Sequence, residues 1–62
     1  MKNKVRIMRL KLGISQTKLA AQVGIAQGQL SNVELGKLRA WPKMRRDIAR
    51  ALGVSETELF PN

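Results

Sequence analysis

Apolar residues recur at three- and four-residue spacing along most of this 62-residue chain. Val5, Met8 and Leu12 share one face with Arg9, and that spacing predicts a first helix from a cap at Asn3 to about Leu12. Gly13 ends it, because the left-handed conformation at a helix C-terminus costs glycine little. Ser15 is a good N-cap for a second helix from Gln16 to Val23, with Leu19, Ala20 and Val23 as its buried stripe. Gly24 opens a turn, and Ile25 is expected to plug the angle between this helix and the next. The third helix runs from Gln27 to about Leu35 and turns Leu30 and Val33 inward. Its start is weak. Ala26 is a poor N-cap, and Gly28 costs roughly 1 kcal/mol against alanine inside a helix.

Gly36 closes the third helix, and residues 37–41 form a loop. Pro42 suits a first helical position and opens a fourth helix to about Leu52, with Met44, Ile48, Ala51 and Leu52 facing inward. Lys43, Arg45, Arg46, Asp47 and Arg50 are assigned to the opposite face, toward water or a partner. Gly53 ends this helix, and Ser55 with Glu58 matches a capping box for a short fifth helix through Leu59 and Phe60, stopped by Pro61. No strand pattern or low-complexity segment interrupts the series. The expectation is one all-α domain of five helices over residues 1–62, with the second and third helices set as a helix-turn-helix.

Composition narrows the chemistry. The chain has no cysteine and no histidine, so disulfides and the usual zinc constellations are excluded. A chain of this size then relies on apolar packing alone. No apolar run reaches the roughly 18 residues that a membrane span needs, and no signal-type segment follows Met1, so a cytoplasmic location is expected. Twelve Lys and Arg against four Asp and Glu give a net charge of +8, which favours polyanions, nucleic acid above all. The cations are unevenly placed. Lys2, Lys4, Arg6, Arg9 and Lys11 crowd the first segment, and Lys37, Arg39, Lys43, Arg45, Arg46 and Arg50 follow Gly36. Lys18 stands between them, and residues 27–35 carry no basic side chain. Phosphate attraction is thus supplied by the flanks, leaving a central helix with uncharged amides for neutral contacts.

Arg9, Gly13-Ile14-Ser15-Gln16, Leu19-Ala20, Val23-Gly24, Leu30, Val33-Glu34, Gly36-Lys37 and Ala51-Leu52-Gly53-Val54-Ser55 together resemble the Cro/C1-type (Xre) helix-turn-helix family of lambdoid phage repressors and Cro proteins. The likeness extends over about residues 5–60. It implies a compact five-helix domain that binds operator DNA, usually as a dimer, with the third helix in the major groove. By the same resemblance Gln16 touches a phosphate and braces the recognition helix. Gln27, Gly28 and Gln29 fall at the turn that meets base edges, and Ser31 and Asn32 continue that surface. An amide both donates and accepts, so it pairs bidentately with adenine N6 and N7. Gly28 departs from the longer side chains usual there; it either lets the backbone approach DNA or surrenders a base contact. Ala26 replaces the usual Ser or Thr.

The resemblance also implies a partly buried ion pair between Arg9 and Glu34, which removes Arg9 from the DNA-binding set. Lys18, Lys37, Arg39 and Lys43, with Gln16, are the expected phosphate contacts. Trp41 is assigned to the edge of the core in preference to DNA or a second subunit. Ile7, Leu10 and Leu35 fall outside the inner stripes, which suggests cover by the fifth helix or a partner surface that Leu59 and Phe60 join.

The function expected on these grounds is sequence-specific transcriptional regulation, repressor-like, on a two-fold operator. A homodimer is expected to be weak and completed on DNA. The competing reading is a helix-turn-helix that docks a protein, as an antitoxin or anti-repressor does, and large exposed apolar patches would favour it. An enzyme is disfavoured, because His, Cys and Tyr are absent and Glu56 and Glu58 look like cap residues. No cofactor, metal or small-molecule ligand is expected.

Overall fold

Each helix begins and ends where the local chemistry allows it. The computed structural model describes residues 3–61, so the Lys2 member of the first basic cluster lies outside the described residues. Among the described residues the helices are α1 (Val5–Lys11), α2 (Gln16–Val23), α3 (Gln27–Glu34), α4 (Pro42–Leu52) and α5 (Glu56–Leu59), with no strand. α2 lies against both α3 and α4, and α4 also meets α1 and α5.

Ser15 caps α2 by accepting the Lys18 backbone N–H at 3.1 Å. Gly24 stops α2 with φ +80°, and the Gly24 and Ile25 N–H groups both return to the Ala20 carbonyl, at 2.9 and 3.0 Å. That left-handed turn lets α3 leave at once after α2. Ile25 is half-buried there, packed on the core. Asn3 does not occupy the N-cap of α1, which falls to Lys4, but its side chain still serves the helix. Asn3 Oδ1 accepts the Val5 N–H at 3.1 Å, while its Nδ2 donates to the Val33 carbonyl at 2.8 Å. One side chain thereby starts α1 and holds it to α3. Lys4 N–H donates to the Leu59 carbonyl at 2.8 Å and ties the same end to α5.

Val5, Leu19, Leu30, Val33, Met44, Ile48 and Leu59 form the innermost core. Several inward assignments shift. Leu12 is 50% exposed, because α1 ends at Lys11 and the chain turns before Leu12 can reach the core. Ala49 replaces Ala51 as the buried alanine of α4, Ala51 being half-buried, and Ala40 in the loop is buried as well. Leu59 and Phe60 do not join an outer patch; they close the core, leaving Ile7, Leu10 and Leu35 uncovered by α5. Arg45 is not on the solvated face of α4. It lies half-buried with its guanidinium carbon 5.1 Å from the Phe60 ring centroid, so its stem and charge cover an aromatic edge. Trp41, the α4 N-cap, is 42% exposed and borders a shallow recess with Val23, Gly24 and Ile25.

Candidate nucleic-acid interface

The exposed side of α3 is uncharged. Gln27, Gly28, Gln29 and Asn32 are exposed, and Ser31 is half-buried. The one charged residue of the helix, Glu34, turns its carboxylate inward, with 2% of the side chain exposed.

Beneath the α3 tip runs a continuous polar chain. Arg9 Nε donates to Glu34 Oε2 at 2.8 Å and Arg9 Nη2 to Glu34 Oε1 at 3.1 Å, a two-point contact across 25 positions of sequence. Arg9 Nη1 donates to the Ile14 carbonyl at 3.0 Å, which fixes the α1–α2 corner. The Glu34 carboxylate, by hydrogen bond first and charge second, raises the Arg9 pKa above its already high ordinary value. Gln16 Nε2 then donates to Glu34 Oε1 at 3.2 Å, and Gln27 Nε2 donates to Gln16 Oε1 at 3.3 Å. Four side chains from α1, α2 and both ends of α3 are therefore one assembly. Helical periodicity finds the positions of these residues, but it carries no sign that Gln16 bridges Glu34 and Gln27.

Gln29 is used differently from its neighbour. Its Oε1 accepts the Ala26 backbone N–H at 3.1 Å, so its acceptor serves the start of α3. Ala26 has no side-chain acceptor, and only this half of a capping arrangement exists.

The cations divide into separate groups. Lys18 is exposed on the first turn of α2. Lys37 is exposed on a loop fastened to α3, since the Lys37 and Leu38 N–H groups both donate to the Asn32 carbonyl, at 2.8 and 3.1 Å. Lys43 borders the recess beside the α2–α3 turn, with its Nζ 2.6 Å from Asp47 Oδ2. Arg39 lies elsewhere: it lines a small cavity with Asn3, Arg45 and Phe60, away from the α3 tip.

Five helices with this turn and this buried pair define a class of protein. The chain belongs to the helix-turn-helix family, whose profile matches residues 5–59, and within it to the Cro/C1 type. It is similar to the crystal structure of a hypothetical transcription factor from Neisseria, at 31% identity and a TM-score of 0.81. The match covers 87% of this chain and 61% of that one, so the chain spans about three-fifths of the length of that protein. No helix among the described residues is long and apolar enough to cross a membrane.

Proposed function

We propose that this chain is a sequence-specific DNA-binding transcriptional regulator of the repressor type, acting in the cytoplasm and laying α3 in the major groove. The observation that carries this is the neutral outer face of α3 on a protein of net charge +8. Gln27 and Asn32 are its base-reading side chains, with Gly28 and Ser31 at the same surface. Gln16, Lys18, Lys37 and Lys43 hold phosphates, and Arg39 contributes to the general positive field. Two copies bind a two-fold site, in a dimer completed on DNA.

The test is fluorescence anisotropy against operator and scrambled duplexes over a range of salt. Gln27→Ala is expected to weaken operator binding by about 1–3 kcal/mol and to leave scrambled duplex nearly unaffected. Lys37→Ala weakens both alike and lowers the salt slope by about 1. Equal losses for Gln27→Ala on both duplexes would remove the base-reading role.

A second reading has its own observation. Ile7, Leu10 and Leu35 are 55%, 52% and 63% exposed, a surface suited to a protein partner. Binding to duplex DNA no tighter than to single strands or heparin favours that reading.

A further inference from the structure

We infer that the buried Arg9–Glu34 pair sets which way round the Gln27 amide points, and that this biases the helix toward adenine over guanine. The inference rests on the base-reading function proposed above. An ionised carboxylate only accepts hydrogen bonds. Both Glu34 oxygens already receive Arg9, so the Gln16 atom 3.2 Å from Oε1 has to be a donor, its Nε2. Gln16 Oε1 therefore points the other way, toward α3. That oxygen in turn requires a donor from Gln27, which supplies its Nε2 at 3.3 Å. Each amide is oriented by the one behind it, and the charge at Glu34 starts the series.

The outward edge of Gln27 is then left with its Oε1 and a second N–H. One acceptor beside one donor matches adenine, which shows N6–H as donor and N7 as acceptor in the major groove. Guanine shows two acceptors there, O6 and N7, and asks for two donors. Turning the Gln27 amide over to supply them would set its oxygen against Gln16 Oε1, acceptor to acceptor. Arg9 and Glu34 touch no DNA in this scheme; they are positioning residues.

Selection from random duplex DNA, followed by titration of duplexes differing only at the selected pair, tests the inference with four proteins. The wild type is expected to select adenine at a position where Gln27→Ala loses its preference. Gln16→Met keeps the ion pair but frees the Gln27 amide, and the adenine-to-guanine ratio at that position is expected to fall roughly fivefold or more. Gln16→Glu still offers an acceptor to Gln27 Nε2, so it keeps the ratio while binding every duplex more weakly through charge repulsion. Thermal melts confirm that each variant is folded. A guanine preference in the wild type, an unchanged ratio in Gln16→Met, or loss of the ratio in Gln16→Glu overturns the relay while leaving base reading intact. If Gln27→Ala changes no position, base reading itself has failed, and the relay with it.

Discussion

Gln29 caps the helix in which it lies: its side-chain oxygen accepts the Ala26 N–H at 3.1 Å, at a helix start where residue 26 has no acceptor of its own. The N-terminus of α3 is thus half-capped, and a hydroxyl at position 26 completes the arrangement. Ala26→Ser is expected to stabilise the protein by about 0.5–2 kcal/mol, read from urea unfolding. Gln29→Met, with similar helix propensity and no comparable acceptor, is expected to lose about 0.5–1 kcal/mol. Because that oxygen already serves the backbone, Gln29→Met leaves base preference unchanged. A shift in the selected DNA sequence would return Gln29 to the reading set.

Gly28 presents the opposite case. It lies inside α3 with an ordinary helical φ, and a Cβ built there meets nothing within 4 Å. Neither the backbone nor packing within the chain requires glycine. Gly28→Ala is expected to raise stability by roughly 1 kcal/mol. On DNA the same methyl stands between the helix and the groove, so operator affinity is expected to fall as stability rises. A variant that gains on both measurements shows that no close approach occurs at Gly28.

The helix boundaries were legible because caps and breakers act locally. Ser15, Gly24, Pro42 and Gly53 each determine the backbone within a few residues of themselves. The core was legible wherever a stripe stayed in register, as at Leu30 and Val33. Periodicity failed at the ends of helices, where Leu12 keeps the phase of α1 but not its neighbours. It also failed at Arg45, since a charged residue at a boundary position has two fates and only the tertiary placement of Phe60 selects one. In the interface, composition indicated where amides and cations lie. It did not reveal that Gln29 is occupied by Ala26, nor that Arg39 sits beside Phe60, because both depend on where single atoms meet.

Asp47 gives the fold a pH dependence whose sign is set by its surroundings. Lys43 bonds it directly, and the charges of Lys43, Arg50 and Arg46 add to hold its carboxyl below the ordinary value of 3.8. The unfolded chain therefore takes up this proton at a higher pH than the folded chain. The resulting stability is whole above the ordinary value and disappears as pH falls through the lowered one. The group is near the surface, so the contribution is small and salt-screened. Asp47→Asn is expected to be slightly less stable than wild type at neutral pH, with the gap closing in acid and narrowing in high salt. A gap that widens in acid contradicts the assignment.

Arg9 and Glu34 are expected to behave as a unit in unfolding. Arg9→Met leaves the Glu34 carboxylate, 2% exposed, with Gln16 as its remaining side-chain donor. That change is expected to cost about 3–5 kcal/mol, the usual consequence of stranding one member of a buried pair. Stability on this scale is most of what a small core without staples provides, so the single variant is expected to be largely unfolded at 37 °C. Glu34→Leu strands less, because Arg9 still donates to the Ile14 carbonyl. The double variant, Arg9→Met with Glu34→Leu, removes both charges and substitutes apolar contact, and it is expected to recover most of the loss. Urea unfolding of all four proteins yields the coupling as a double-mutant cycle. Additive losses in that cycle would mean that the two side chains are neighbours without being partners, and α1 would then be held to α3 by Asn3 alone among their side chains.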